Sequence, residues 1–288
     1  MRVSISVSDF TWPGGAAAIR AELGAIVRAA DQAGVDTIWL PDHLLQVDQR
    51  SSPDAEMLET YTTLGYIAGL TERVRLGAMV TPVTYRAPAY VIKSVTTLDV
   101  LTGGRAWLGL GAGYSEEEAK AVSLPFPPVA ERFEHLEETL AIAFRMWSGD
   151  TTPFHGAHYR LENPISSPAP LTRPHPPVLI GGIGEKKTLP LVARHGDACN
   201  IGDYPDGGKT IERKLEVLRQ CCADAGRPFE EIDKTVSTRF IDGESPGEFT
   251  ERCHRFRSLG MDHPVLFTSW TRARAESLAP LVEAAAAV

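Results

Sequence analysis

The chain has 288 residues, 43% of them hydrophobic and 23% charged, and 37 acidic against 29 basic side chains leave a net charge of −8. A chain of this size buries roughly three-quarters of its unfolded surface and needs no disulfide staple; its length is near the ~250 residues of a single β/α barrel. The acidic balance excludes a nucleic-acid footprint, which needs a basic face, but not a small anionic ligand held by a few local cations. The N-terminus alternates like a strand over residues 3–8 and lacks the apolar core of a signal peptide. No run approaches ~20 apolar residues, so no membrane span is expected. Cys199, Cys221, Cys222 and Cys253 form no C-x-x-C, and reduced thiols in a cytoplasmic protein are expected.

A helix follows the first strand, with Ile19, Leu23, Ile26, Val27 and Ala30 on one face and Gly34 as its stop. Residues 36–40 read as a short apolar strand, 55–70 as a helix and 74–81 as a third strand ending in Thr81-Pro82. Residues 88–101 suit a helix begun by Pro88. Gly103-Gly104 turns into a fourth strand at 105–111, which runs into Gly111-Ala112-Gly113-Tyr114. Ser115 and Glu118 have capping-box spacing at the head of a long helix. That helix carries Phe133, Leu136, Leu140, Phe144 and Trp147 as a core stripe. Residues 149–177 hold seven prolines, so helix and inner strand both fail there. An insertion this long suggests a lid over the barrel mouth that shapes the substrate pocket.

The alternation then resumes. Strands are expected at 178–181, 197–201, 235–241 and 264–268, and helices at 185–195, 208–225, from a second capping box at Ser245–Glu248 to about Leu259, and from Arg272 onward. Eight strand–helix units predict an α/β fold, a closed (β/α)8 TIM barrel formed by residues 1–288 as one domain with the proline-rich insertion after the fourth helix. An open doubly wound sheet is the alternative, and such sheets more often have five or six strands.

Barrel sites lie just beyond the strand ends. The positions there are Asp9, Phe10 and Trp12; Asp42 and His43; Met79, Val80 and Thr81; Gly111, Gly113 and Tyr114; Gly181, Gly182, Ile183 and Gly184; Asn200; Arg239; and Ser269 and Trp270. No nucleophile sits on a glycine elbow. His155 and His158 have a possible ligand spacing but no third ligand close in sequence, so no metal is expected. Glycines, aromatics and one histidine suit a flat ring with an anionic tail, the chemistry carried by a cofactor. His43 is the acid/base candidate. Read blandly, Asp42 caps the strand exit and His43 bonds a neighbouring loop; spacing alone does not separate the two. Gly181 to Thr188 opens a helix whose amides can hold phosphate, or it is a plain turn with two solvated lysines. It is not a Rossmann fingerprint.

Several stretches match a known family: AADQAGVDTIWLPDHL, LGAMVTPVTYRAP, VTTLDVLTGGRAWLGLGAGYSEEE, ERFEHLEETL, FHGAHYRLENP and RPHPPVLIGGIGEKKTLPLVARHGDACN. Over residues 29–201 the chain resembles the luciferase-like flavin and deazaflavin oxidoreductases, especially the branch that uses the deazaflavin coenzyme F420. The last third matches only in rhythm. The resemblance implies a ring at the carboxyl face of the barrel, resting on a non-prolyl cis peptide that falls here at Met79-Val80. It implies that Asp42 and His43 stand near the ring, that Thr81, Ala112, Gly113, Tyr114 and Glu118 flank the cofactor, and that Gly181, Gly182 and Ile183 lie near its phosphate side chain. Where the sugar-phosphate dehydrogenase branch has a glutamate, this chain has Tyr114, which removes that branch's acid.

These readings converge on an oxidoreductase moving hydride between F420 and a small organic substrate, with His43 handling the proton. The rivals are an FMN-dependent monooxygenase, a cofactor-binding protein without catalysis, and a phosphosugar aldolase or isomerase, the last lacking the lysine or glutamate pair it would want at the strand ends. No nucleic-acid or membrane partner is expected, and a homodimer is suggested by analogy with relatives.

Overall fold

The computed structural model describes residues 1–48, 51–239, 241, 243–267 and 278–288. Its strands are β1 Ser4–Ser6, β2 Thr37–Leu40, β3 Arg75–Ala78, β4 Thr81–Pro82, β5 Ala106–Gly111, β6 Phe154–His155, β7 Arg160–Leu161, β8 Val178–Ile180, β9 Ala198–Gly202, β10 Asp233–Arg239 and β11 His263–Phe267. Eight of them close a parallel barrel in the order β1-β2-β3-β5-β8-β9-β10-β11 and back to β1. The short β4 extends the ladder on β5. The helices are α1 Ala16–Ala33, α2 Thr60–Ala68, α3 Pro88–Thr102, α4 Glu116–Ala121, α5 Val129–Ser148, α6 Thr188–His195, α7 Lys209–Ala225, α8 Pro246–Ser258 and α9 Leu278–Ala286. The expected (β/α)8 barrel is therefore the fold. Thr268, Ser269, Trp270 and the first stretch of the helix expected from Arg272 lie outside the described residues, and from Leu278 that helix is present as α9.

Local signals account for most element ends. Leu23, Ile26, Val27 and Ala30 form the buried stripe of α1, and Gly34 ends it in the left-handed conformation at φ 83°. Pro88 starts α3, and Ser245 with Glu248 forms a complete capping box on α8. Two expected helices change. The 55–70 helix begins only at Thr60, where the Glu59 carboxylate caps the Thr62 amide at 2.7 Å. The long helix after Ser115 is split into α4 and α5, because Pro125, Pro127 and Pro128 lack amide donors and exclude the helical conformation before them.

The insertion at 149–177 does not cover the mouth. Its β6–β7 hairpin lies on α5, where the Ala157, His158 and Tyr159 amides donate to Glu138. Further on, the Leu171 and Thr172 amides and the Thr172 hydroxyl donate to the buried Asp99 of α3. These carboxylates satisfy a proline-broken backbone that cannot satisfy itself. They strap it to the outer flank, so the lid expectation is corrected.

Inside the barrel, Trp39 and Trp107 pack at 5.5 Å between ring centroids, with Leu179, Ala198 and Val265 around them. One layer higher the side chains vanish. A Cβ on Gly109 would collide with the Ala78 carbonyl oxygen, and a Cβ on Gly111 or Gly181 would meet Val80 Cγ2 at 2.7 or 2.6 Å. The backbone after β3 occupies that emptied layer through a cis Met79-Val80 peptide, as expected. At the seam of β1, β10 and β11, Ser4 Oγ lies 2.7 Å from His263 Nε2, and His263 Nδ1 lies 3.3 Å from Asp233. The order is that of a nucleophile triad, but Ser4 is 0% and His263 1% exposed, so the network closes the barrel rather than meeting a substrate.

Gly109→Ala should destabilise the protein by about 3 kcal/mol in urea unfolding, because the obstacle is backbone and cannot rotate away. Gly65→Ala, in the exposed interior of α2 with open space around it, should instead stabilise by roughly 0.5–1 kcal/mol. Equal effects would contradict the packing argument.

Candidate active site

A cavity of about 1410 Å³ opens at the carboxyl ends of the barrel strands. Single ligand pockets run to roughly 300–1,000 Å³, so this one has room for two ligands side by side. Met79 and Val80 line it, with Val80 seated over Gly111 and Gly181. One wall carries His43, Ala112, Gly113 and Tyr114, and another carries Gly181, Gly182, Ile183, Gly184 and Thr188. Met57, Val129 and Phe133 add apolar surface. Phe133 thus faces the cavity as well as the core stripe in which it was expected.

His43 follows β2, and its ring is held from behind. Glu118, 3% exposed, accepts from His43 Nδ1 at 2.7 Å and from the Leu44 amide at 2.6 Å. Burial pushes the Glu118 carboxyl up, but hydrogen bonds from His43, Tyr85 and the Leu44 amide outweigh it and hold the group below the usual carboxylate range. An ionised carboxylate only accepts, so Nδ1 carries a proton, and the tautomer this selects has Nε2 as its accepting nitrogen. Nε2 lies 3.3 Å from the Tyr114 hydroxyl, with the rings edge to face at 5.6 Å. Burial, then the hydrogen bond to Glu118, raises the Tyr85 phenol, so Tyr85 stays a donor. Sequence reasoning missed Tyr85. It also expected Glu118 to complete a capping box; Ser115 does accept from the Glu118 amide at 3.3 Å, but the carboxylate turns to His43 instead of the Ser115 amide.

Asp42 sits one residue earlier and points the other way. It is 1% exposed, takes a two-pronged ion pair from Arg86 at 2.6 and 3.0 Å, and accepts from Thr81 Oγ1 at 2.7 Å. Thr81 also meets the Tyr61 hydroxyl at 2.8 Å, and Arg86 reaches Glu59. The polar atoms of Asp42, Thr81 and Glu118 are engaged by protein partners, and none of the three lines the cavity. Arg86 was also missed; its signal was a lone cation in the YRAP stretch with a buried acid to answer.

The family model described as luciferase-like monooxygenase matches residues 1–286. The chain belongs to this family. Among curated luciferase-like relatives, one named F420-dependent glucose-6-phosphate dehydrogenase from Kineococcus radiotolerans is 30% identical over 239 residues, covering 81% of this chain and 67% of that protein. A namesake from Amycolatopsis mediterranei is 26% identical, covering 73% of this chain and 62% of its own length. The match thus spans about two thirds of those relatives. A solved F420-dependent secondary alcohol dehydrogenase in complex with an F420-acetone adduct superposes with TM-score 0.81 at 17% identity, covering 99% of this chain and 98% of that one. The monooxygenase RslO1 from Streptomyces bottropensis gives 0.79 at 18%, covering 98% and 97%. At such identities the structures share the fold.

The remaining expected positions of this luciferase-like chain divide clearly. Gly182 takes φ +106°, and the Thr188 hydroxyl lies where side chains on Gly182 and Gly184 would point. The helix starts at Thr188, later than expected, so Lys186 and Lys187 fall on a turn and do not line the cavity. Asn200 and Arg239 do line it. Across the mouth, Arg255 pairs with Asp203 at 2.9 Å and Arg252 with Glu244 at 2.6 Å, a rim the sequence did not reveal. His158 does find polar neighbours: Glu134 Oε2 is 2.8 Å away and the His135 ring 4.2 Å. Among the described residues, no helix is long and apolar enough to cross a membrane.

Arg86→Ala leaves the Asp42 charge buried alone and should cost about 3 kcal/mol in urea unfolding, the low end of such losses because the Arg86 side chain keeps 13% exposure. Asp42→Asn with Arg86→Met should cost less, and an equal or larger loss would count against the pair. Because the folded-state pKa of Glu118 lies below its unfolded value, the ionised group adds stability that is complete above the unfolded pKa and lost as pH falls through the folded one. The stability gap between wild type and Glu118→Gln should therefore shrink on acidification, and a gap independent of pH would refute this linkage.

Proposed function

We propose that this protein is an oxidoreductase that moves hydride between the deazaflavin coenzyme F420 and a small organic substrate. The observation that carries the reading is His43: its Nδ1 is tied to Glu118, its Nε2 lies 3.3 Å from the Tyr114 hydroxyl, and it lines the same cavity as Met79 and Val80. The residues fit a tricyclic ring with a phosphate tail. Gly111 and Gly181 let Val80 sit low enough to form the floor, and Gly182 and Gly184, with the Thr188 hydroxyl beside them, form a turn at the start of α6 open to the anionic end. The names of the curated relatives favour F420.

When bound, F420 supplies the hydride donor or acceptor at C5 of its ring. The chain's own residues supply the rest. Val80, wedged between glycines, sets the height of the floor. Glu118 fixes the His43 tautomer, so Nε2 can take the proton released when a substrate is oxidised, or return it in the reverse direction. Tyr114 bounds the substrate side of that nitrogen. Met57, Val129 and Phe133 favour an uncharged organic substrate, and Tyr114 stands where the sugar-phosphate branch has a carboxylic acid.

The wild-type protein should bind F420 in a fluorescence-quenching titration. His43→Ala should keep nearly the same affinity while turnover falls by about 10²–10⁴. Tight binding of FMN with none of F420 would overturn the cofactor in favour of the monooxygenase reading, which the family description supports. Unchanged turnover in His43→Ala would remove the proton role.

A further inference from the structure

On the outer flank of the barrel, α5 and the β6–β7 hairpin bring two imidazoles and several carboxylates together. Glu131 and His135 are one helical turn apart on α5, with Glu131 Oε1 3.7 Å from His135 Nε2. His158, at the hairpin turn, lays its ring 4.2 Å from that of His135 at 37°. One donor atom from each of Glu131, His135 and His158 lies within 4.8 Å of the others. Glu134 adds a carboxylate oxygen 2.8 Å from His158 Nε2.

We propose that Glu131, His135 and His158 form a binding site for a divalent transition metal, Zn²⁺ by preference, with Glu134 available as a fourth ligand. Three observations support it. The donor chemistry is two imidazoles with carboxylate, which suits Zn²⁺, Co²⁺, Ni²⁺ or Cu²⁺ rather than Ca²⁺ or Mg²⁺. The backbone carrying His158 is set in place, since Glu138 accepts the amides of residues 157, 158 and 159 at 2.6, 3.2 and 2.9 Å. This is the kind of outer support that orients a ligating histidine. Finally, His135 Nδ1 is buried with no hydrogen-bond partner among the described residues, and its other nitrogen reaches only the 3.7 Å contact. Ligation through Nδ1 would satisfy that orphaned nitrogen, whereas ligation through Nε2 would leave it without a partner.

Tetrahedral Zn²⁺ with bonds near 2.0–2.1 Å needs its ligand atoms roughly 3.3 Å apart. The three ligand atoms already lie within 4.8 Å of one another, so binding would draw them closer together. The bound ion would fasten the hairpin to α5, adding to the Glu138 hydrogen bonds and the 2.8 Å His158–Glu134 contact. Glu131 and His135 also border a separate cavity of about 520 Å³ that holds Phe126 and Tyr159, so the ion can enter from solvent.

The test is calorimetric titration of the chelator-stripped full-length protein with Zn²⁺, with Tm measured alongside. Binding near one ion per chain, accompanied by a rise in Tm, is expected. His135→Ala and His158→Ala should each weaken binding at least tenfold and remove the Tm rise. His155→Ala, whose exposed ring meets Glu162 at 3.9 Å, should bind as wild type does. Co²⁺ added to the wild-type protein gives a readout that does not depend on any variant folding: intense visible bands of a four-coordinate ion support the site, and the pale spectrum of the hydrated ion overturns it. The absence of Zn²⁺ binding, or wild-type affinity in both His135→Ala and His158→Ala, would overturn it equally.

Discussion

Everything at the mouth of this barrel depends on three missing side chains. Gly109, Gly111 and Gly181 leave a gap in the barrel lining, and the backbone between β3 and β4 fills it. With any larger residue there, Val80 and the Ala78 carbonyl could not come so far inward, and the cavity would lose its floor. Below the gap, Trp39 and Trp107 fill the interior, so the site ends at a defined depth. Close packing makes this division sharp, since a protein interior tolerates neither an unfilled void nor an added methyl group without cost.

Two acidic residues near the end of β2 illustrate how environment separates roles. Asp42 is fully engaged by Arg86 and Thr81 and holds the strand end in place. Glu118 comes from a different element and orients the one imidazole that faces the cavity. A rigid loop held by one carboxylate thus presents a histidine whose tautomer is chosen by another. Placement of this kind from behind is what keeps an acid/base group within reach of its proton.

The capping-box spacing at Ser115 and Glu118 shows where local reasoning stops. The same spacing at Ser245 and Glu248 yields a complete box. At Ser115 only half forms, because His43, the Leu44 amide and Tyr85 compete for the glutamate and win. Those competitors come from 33 or more residues away, so no window around Ser115 could show them. The proline-rich insertion is similar. Its composition correctly forbade regular structure, but the face it covers was chosen by Glu138 and Asp99, which satisfy its amides on the flank.

By itself the amino-acid sequence determined the alternation of strands and helices, hence the barrel, and the fact that its glycine-rich strand ends form the site. Those properties follow from periodicity and backbone permissiveness, which are local and survive in one dimension. Family likeness added the cis Met79-Val80 peptide and singled out His43 as a candidate. Tertiary structure alone decided which polar groups meet: Glu118 with His43, Arg86 with Asp42, and His158 with His135 and Glu134. Side chains distant in the chain become neighbours only when the barrel closes, and a buried polar group then takes whichever partner lies within hydrogen-bonding reach.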